Sequence, residues 1–289
     1  MIDLLGLLYG AMVGVSLGLT GGGGSLLAVP LLVYGLGVPA AQAVGTSLAA
    51  VGAVALGGAV QRWRARQVET RVGLIFALGG MAGAPLGSWA GRQISATLLL
   101  VAFAGLMLLI AAKMWRQAVR DPKSAAVVRA RIEPPPVDDQ APFCPYDPSG
   151  RILLDSRCGT LLALVGIGTG VLSGLFGVGG GFVIVPAIVF LTRMSVHRAV
   201  ATSLMVIALI TPSALAAYLA GGGQLPLAMT AWFVGGGLGG MALGTVVARK
   251  LSPVGLQKLF SVAIVLVALF ILARNLGHIS GPGLAGVRR

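Results

Sequence analysis

The sequence predicts an all-α polytopic membrane protein with two inverted-topology repeats, each a broken-helix hairpin with a glycine tip plus three transmembrane helices. Three observations support this prediction: few charged residues, recurring apolar runs and internal self-similarity. Of the 289 residues, 56% are hydrophobic and only 10% are charged. Soluble domains carry about 25% charged residues, so this chain has too few to cover a surface that faces water.

Apolar runs of membrane-spanning length recur along the chain. A hydrocarbon core of roughly 30 Å requires about 20 apolar residues in a helix, and a helix pairs the backbone groups that lipid cannot. We expect three such helices in each half. They lie at about residues 42–60, 72–90, 94–112, 199–219, 227–248 and 254–273.

Self-similarity relates the two halves. The segment GVSLGLTGGGGSLLAVPLL at Gly14–Leu32 returns as GVLSGLFGVGGGFVIVPAI at Gly170–Ile188, an offset of 156 residues. The same offset carries the AVGTSL run that begins at Ala43 onto the AVATSL run that begins at Ala199. One offset kept through several motifs indicates duplication of a single structural unit.

The repeat divides the chain into an N-terminal repeat at residues 1–120, with a hairpin at 4–36, and a C-terminal repeat at residues 158–275, with a hairpin at 159–191. Residues 276–289 form a tail. Between the repeats, residues 121–157 form a polar, Pro-rich linker that we expect to be cytoplasmic. Its composition is typical of a solvated segment, either a passive tether or a segment for regulation or partner binding.

The chain has two cysteines, Cys144 and Cys158, in or beside the linker. They lack the spacing of a zinc site. Because cytoplasmic thiols stay reduced, we expect two ordinary cysteines without a stable disulfide.

Basic residues indicate which loops face the cytoplasm. Four arginines lie between the first and second predicted helices, at Arg62, Arg64, Arg66 and Arg71, and four basic residues follow the third, at Lys113, Arg116, Arg120 and Lys123. In the second half the basic positions are Arg193, Arg198, Arg249 and Lys250, whereas the loop Gly221–Pro226 is uncharged. The helices that begin near Ala43 and Ala199 then cross in opposite directions, which defines an inverted repeat. The same reasoning predicts an external C-terminus, although three arginines near it oppose this orientation.

A run of glycines interrupts each hairpin. We expect each hairpin to be two half-helices, neither long enough to cross, with a tip inside the membrane, where unwound backbone is tolerated around a cavity. The second arm begins there, so its free N–H groups and the positive end of its dipole favour an anion. Paired interrupted segments are typical of a transporter's substrate site.

The candidate substrate-binding residues are the glycines and serine of the tips and the hydroxyl residues that open the following helices. They are Gly21, Gly22, Gly23, Gly24, Ser25, Thr46, Ser47, Gly177, Gly179, Gly180, Gly181, Thr202 and Ser203. The alternative role of the glycines is close helix packing, which we favour for Gly236, Gly240 and Gly244 because they are spaced by four. The four hydroxyls could instead cap their helices or bond to the preceding turn.

Other classes of function are disfavoured. The eight acidic residues all lie outside the apolar runs, whereas cation sites and proton relays use carboxylates within the membrane. The formal charge of +13 sits in short inter-helix segments, which suits anionic lipid and the positive-inside rule more than nucleic acid. We expect no enzyme activity, metal or cofactor. His197, at a membrane edge, is a weak candidate for pH sensing.

The paired glycine motifs, each ending in Val-Pro and followed by A-V-x-T-S-L, resemble those of the TauE/SafE sulfite exporter family. The resemblance covers residues 4–120 and 158–275 and leaves out the linker. It implies export of sulfite or an organosulfonate such as sulfoacetate, with residues 21–25 and 177–181 and the four hydroxyls as core motif positions. Gly181 replaces Ser25 in the second copy, so the site would be only pseudo-symmetric.

We therefore expect a secondary transporter in the bacterial inner membrane that exports a small sulfur-containing anion. Its partners are that anion and the lipid bilayer, and its small-residue faces permit a homodimer. Two alternatives are an anion channel, which would give flux without saturation, and an accessory membrane protein whose glycines serve packing alone.

Overall fold

The computed structural model describes residues 2–120, 144, 155–192, 194–248 and 253–279. This part of the chain contains helices and no strand, so the predicted all-α class is confirmed. The helices are α1 (Ile2–Thr20), α2 (Gly23–Gly35), α3 (Ala40–Arg64), α4 (Thr70–Gln93), α5 (Ala96–Arg120), α6 (Ser156–Phe176), α7 (Gly181–Thr192), α8 (Val196–Ala220), α9 (Leu227–Ala248) and α10 (Pro253–Ile279). Most of the predicted linker and the end of the predicted tail lie outside the described residues.

Five helices of the described chain are long and apolar enough to cross a membrane: α3, α4, α6, α8 and α9. Helices α5 and α10 contribute the shorter apolar stretches Ala96–Ala112 and Ser261–Arg274. Large apolar side chains such as Leu78 and Leu109 are exposed on the outside of the assembly, where lipid can cover them. The predicted polytopic membrane protein is confirmed.

The first arms of the hairpins are longer than predicted. Helix α6 has 21 residues and α1 has 19, so the expectation that no arm reaches crossing length is wrong for α6. Helix α6 begins at Ser156, whose amide donates to the Asp155 carboxylate at 2.8 Å. Three of its internal glycines, Gly166, Gly170 and Gly174, pack closely against α4, which offsets their low helix propensity.

The second arm of the first hairpin is irregular. Helix α2 comprises a 3₁₀ segment (Gly23–Leu27), one α-helical turn (Ala28–Pro30) and a π-helical turn (Leu31–Gly35). Pro30 has no N–H to donate and its ring crowds the preceding turn, so a regular ladder cannot continue through it. The sequence did not predict this change of helix type.

Helix α1 of the first repeat packs in parallel along α9 of the second. Gly10 lies against Phe233 and Gly14 against Gly237, so the register ascends on both helices. The proposed packing face of α9 lies against the α1 backbone, with Gly236, Gly240 and Gly244 at the carbonyl groups of Leu7, Ala11 and Val15. The packing interpretation of these three glycines is confirmed.

Helices α4 and α6 form the corresponding pair with the repeats exchanged. Gly79 lies against Ala163 and Gly87 against Val171, again in parallel. Each hairpin is therefore held by a helix of the opposite repeat, and the two halves interlock.

The repeat mates α3 and α8 cross at the centre in antiparallel register. Gly45 lies against Tyr218 and Gly52 against Thr211. Helices α5 and α10, also mates, pack on each other. An inverted repeat requires its mates to run in opposite directions, as these do. Which ends of the helices face the cytoplasm depends on the position of the membrane, so the inverted topology stays a prediction.

Proline in α4 creates a further bond between the halves. Pro85 lies inside the helix, so the carbonyl of Met81, four residues earlier, loses its helical donor. Ser213 of α8 donates its hydroxyl to that carbonyl at 2.9 Å. A side chain from the second repeat thus repairs the helix of the first.

The expectation that Cys144 and Cys158 remain separate thiols is wrong, because the structure joins them in a disulfide. Cys144 folds back onto the first turn of α6, where the two Cα atoms lie 5.1 Å apart, within the range that a disulfide requires. Both residues are buried. The prediction used only the expected compartment, whereas local geometry brings the two sulfur atoms together.

Candidate functional site

Both first arms end at the predicted glycines. Helix α1 ends at Thr20 and α6 at Phe176, and each is followed by unwound backbone before the second arm. We call Gly21–Ser25 the first tip and Gly177–Gly181 the second tip. All their residues are buried except Gly23, which is half-buried.

Side chains of the chain itself pair part of the first tip. Thr20 Oγ1 donates to the Ser16 carbonyl at 2.7 Å and accepts from the Gly24 amide at 3.2 Å. Ser25 Oγ donates to the Gly22 carbonyl at 2.7 Å. Both hydroxyls thus donate their protons within the chain, so neither proton is free to bind an external ligand.

Within the described chain, the first tip leaves two amides, those of Gly22 and Gly23, without an acceptor. The Gly21 amide donates to the Leu17 carbonyl at 2.7 Å, and the Ser25 amide donates to Gly22 at 3.3 Å. The first tip is therefore a largely self-satisfied turn.

The second tip is a looser turn that only glycine fits well. Gly177, Gly179 and Gly180 have φ values of 70°, 69° and 69°, a left-handed conformation that costs other residues roughly 1–2 kcal/mol each. The Gly180 carbonyl accepts from the amides of Val183 and Ile184, at 3.0 and 3.2 Å, which starts α7.

Most amides of the second tip are donors without a partner in the described chain. Those of Val178, Gly179, Gly180 and Gly181 have no acceptor among the described residues. Four buried donors in succession are costly unless a ligand or water pairs them. They lie at the N-terminus of α7, where free amides and the positive end of the helix dipole favour an anion.

The two tips touch each other. A Cβ on Gly22 would lie 2.6 Å from the carbonyl carbon of Gly181, and one on Gly181 would lie 2.7 Å from the Cα of Gly22. Gly179 and Gly181 lie beside Ile207, near the middle of α8. The two tips therefore meet in one small region beside the middle of α8.

The hydroxyl residues that follow the tips differ between the repeats. In the second repeat, Ser203 Oγ donates to the Gly21 carbonyl and to the Val200 carbonyl of the preceding turn, each at 2.9 Å. Thr202 Oγ1 accepts from the Glu69 amide at 3.0 Å. Thr202 therefore contacts the start of α4 rather than a tip. In the first repeat, Thr46 Oγ1 and Ser47 Oγ are fully buried and have no partner within the described chain.

Sequence reasoning missed Ser173. It lies on α6, is fully buried, and its Oγ has no partner in the described part of the structure. Its Cβ would lie 3.6 Å from a Cβ on Gly180. The repeat contained the signal, because Ser173 occupies the position of Leu17 in the first copy.

An open groove of about 170 Å³ lies between α3 and α8. Its lining is apolar apart from Thr211, which also touches Gly179. The Thr211 hydroxyl donates to the Ile207 carbonyl at 2.8 Å, so the groove offers an oxyanion no free side-chain donor.

The family model for the sulfite exporter TauE/SafE matches residues 6–271. The chain belongs to the TauE/SafE family. The match spans both tips and the helices that hold them, and confirms the resemblance carried by the glycine and A-V-x-T-S-L motifs.

Two similar proteins are named probable membrane transporter proteins. One, from Xylella fastidiosa (strain Temecula1), is 34% identical over 275 residues, covering 92% of this chain and 93% of its own length. Another, YunE of Bacillus subtilis, is 28% identical, covering 91% and 93% respectively. No solved structure matches the chain. This TauE/SafE protein is therefore a multi-pass membrane transporter.

Proposed function

We propose that this TauE/SafE protein exports a small sulfur-containing anion, sulfite or an organosulfonate such as sulfoacetate, across the bacterial inner membrane. The observation that supports this is the second tip, where four buried amides lack an acceptor. The same region holds the unpaired hydroxyl of Ser173. These are neutral hydrogen-bond donors, which select an anion by its oxygen atoms.

Sulfite and the sulfonate group each present three oxygens on one sulfur. Three oxygens need several donors that converge from different directions, which a curled peptide supplies better than one side chain. Neutral donors also bind more weakly than a buried arginine would, because charge-assisted hydrogen bonds are roughly twice as strong. Weaker binding suits a transporter that must release its substrate.

We propose that the two repeats are inverted and that the loops rich in arginine face the cytoplasm. The antiparallel crossing of α3 and α8 and the exchanged pairs α1–α9 and α4–α6 support this arrangement. An interior-negative potential of 100 mV then favours exit of a singly charged anion by about 2.3 kcal/mol. That equals a gradient of about 50-fold without a coupling ion.

Movement of the substrate requires the tips to separate. Gly22 and Gly181 are in direct contact, so an anion passes only when that contact opens. We propose that each hairpin moves with the helix that holds it, α9 or α4, in a rigid-body rocking motion of the kind that inverted repeats support.

The test is flux through purified protein in proteoliposomes loaded with radiolabelled sulfite. We expect saturable efflux, exchange of labelled for unlabelled sulfite, and acceleration by an interior-negative potassium diffusion potential. Absence of sulfite and sulfonate flux above that of protein-free liposomes would contradict the proposal. Flux without saturation or exchange would indicate the channel alternative.

A matched pair of variants tests whether the tips control this flux. Gly22→Ala places a methyl group against Gly181 and is expected to reduce sulfite flux at least about ten-fold. Gly168→Ala is the control, since a Cβ there meets nothing within 4 Å. Equal flux from the two variants would exclude the tip contact as the point of passage.

A further inference from the structure

We infer that this transporter has one oxyanion site rather than two symmetric ones, that it lies at the second tip, and that Ser173 is a substrate-binding residue there. The inference rests on the proposed function, since the ligand class is the same sulfite or sulfonate oxyanion. It adds a single location for the site and a residue, Ser173, that the two copies of the motif do not share.

The first tip has fewer unpaired donors than the second, because two of its hydroxyls have partners within the chain. Thr20 Oγ1 accepts from the Gly24 amide, and Ser25 Oγ donates to the Gly22 carbonyl. From α8, Ser203 Oγ donates to the Gly21 carbonyl at 2.9 Å. Internal partners therefore occupy most of the groups that could hold an anion at this tip.

The second tip lacks both hydroxyls. At the 156-residue offset, Thr20 is replaced by Phe176 and Ser25 by Gly181. The Phe176 ring packs on Phe103, with centroids 5.4 Å apart, and neither replacement has a side-chain oxygen to pair an amide. Loss of the Thr20 hydroxyl explains why the Gly180 amide, the counterpart of the Gly24 amide, has no acceptor among the described residues. The amides of Val178 and Gly179 are unpaired as their counterparts at Gly22 and Gly23 are, so the second tip has four unpaired amides and the first has two.

The second tip also has a hydroxyl that the first lacks. Ser173 replaces Leu17, is 0% exposed, and leaves its Oγ unpaired beside Gly180. Burying an unpaired hydroxyl lowers stability. An ordinary packing residue at this position would be apolar, as Leu17 is, so a ligand that pairs the hydroxyl accounts for the exchange.

Ser47 of α3, between the tip-contacting Val44 and Val51, is a candidate for a second hydroxyl at this tip. Val44, three residues earlier on the same helical face, lies against Gly177. The mate of Ser47, Ser203, already bonds the first tip, whereas Ser47 Oγ is 0% exposed and unpaired. Four amides and two hydroxyls then suffice for the three oxygens of one sulfite or sulfonate group.

The experiment compares Ser173→Ala with Thr169→Val, one turn earlier on α6. Thr169 is also buried, but its hydroxyl donates to the Gly166 carbonyl at 2.8 Å. For sulfite efflux from proteoliposomes we expect Ser173→Ala to raise the apparent KM about ten-fold or more, the effect of losing one hydrogen bond to a charged ligand. Thr169→Val is expected to keep the wild-type KM.

Thermal unfolding in detergent separates binding from structure. Without ligand, Ser173→Ala should unfold at the wild-type temperature or above it, because it removes an unpaired buried group. With saturating sulfite, the wild-type protein should gain several degrees by ligand linkage, and Ser173→Ala should lose most of that gain. An unchanged KM, or a lower unfolding temperature without ligand, would overturn the inference.

Failure of the inference is distinguishable from failure of the proposed function. A wild-type protein that exports sulfite while Ser173→Ala behaves like Thr169→Val keeps the function and rejects the single site. A second outcome is that neither sulfite nor a sulfonate is transported or bound, whereas sulfate or phosphate stabilises the wild-type protein but not Ser173→Ala. That outcome would support the site and contradict the proposed substrate. Stabilisation by no anion rejects both.

Discussion

At the scale of single residues, identical side chains have different roles in the two repeats. Ser203 donates to the first tip, whereas its mate Ser47 is buried without a partner in the described chain. Thr202 accepts from the Glu69 amide, and its mate Thr46 has no partner there either. The repeat predicted that these positions are equivalent but could not predict which copy has a hydrogen-bond partner, because the partners belong to the opposite half.

This difference predicts opposite stability effects for two serine variants. Ser203→Ala loses a hydrogen bond and should lower the free energy of unfolding by about 1 kcal/mol. Ser47→Ala removes an unpaired hydroxyl and should leave that free energy unchanged or raise it slightly. Unfolding of the two variants in detergent by heat or denaturant checks this, and equal losses would show that Ser47 has a structural partner.

A second residue-scale prediction concerns the contact between α8 and the start of α4. Thr202→Val leaves the Glu69 amide unpaired and should cost about 1–3 kcal/mol of unfolding free energy. Glu69→Gln keeps that amide and removes only the ion pair with Arg198, whose N···O distance is 2.9 Å. Because those side chains are 25% and 47% exposed, this loss should stay below about 1 kcal/mol. The opposite ranking in an unfolding experiment would be inconsistent with the hydrogen bond at Thr202.

At the scale of helices, glycines determine which surfaces meet. The α1–α9 and α4–α6 pairs bring backbones together through glycines, which compensates in a membrane for the missing hydrophobic force between helices. The sequence predicted the packing face of α9 from its four-residue spacing. It also predicted the two breaks, where glycines are consecutive.

Adjacent glycines on α9 test this packing. A Cβ at Gly240 would strike the carbonyl of Ala11, whereas one at Gly239 meets nothing within 4 Å. Gly240→Ala should therefore cost about 1–3 kcal/mol of unfolding free energy, and Gly239→Ala should be neutral or stabilising by up to about 1 kcal/mol. Denaturant unfolding of both variants provides the comparison, and a harmless Gly240→Ala would mean that α1 does not lie against this face.

The length of the first arms could not be predicted from the sequence. Gly166 and Gly170 look like helix breakers in isolation, but each packs against α4 and stays helical. A glycine in a helix costs about 1 kcal/mol relative to alanine, which close contact with another helix can offset. Whether that contact exists depends on the opposite repeat, which no local pattern shows.

At the scale of the whole molecule, the repeats form one interlocked body. Each hairpin lies on a helix of the opposite half, and Ser213 of α8 bonds the α4 carbonyl that Pro85 leaves free. The all-α class and the apolar membrane-spanning helices were readable from composition and hydropathy. The interlocking of the halves could not be predicted, because it depends on contacts between segments that are distant in the sequence. The Cys144–Cys158 disulfide could not be predicted either, because it depends on the chain folding back onto α6.

Labelling in intact cells tests the inverted topology. We predict that Gln224→Cys, in the uncharged loop after α8, reacts with a membrane-impermeant maleimide from outside. Arg64→Cys, at the end of α3, should react only after permeabilisation. Both positions are exposed, and Cys144 and Cys158 are replaced by serine in both variants. Labelling of both sites from the same face would contradict the inverted arrangement.

The most direct measurement of the central claim is a structure determined with selenite, which keeps the three oxygens of sulfite and adds a heavy atom that can be located by anomalous scattering. We predict one selenium position at the second tip, with its oxygens within about 3.2 Å of the amides of residues 178–181 and of Ser173 Oγ. A selenium peak among the arginines of the α3–α4 loop, with the second tip unoccupied, would contradict the claim that these bare amides bind the transported anion.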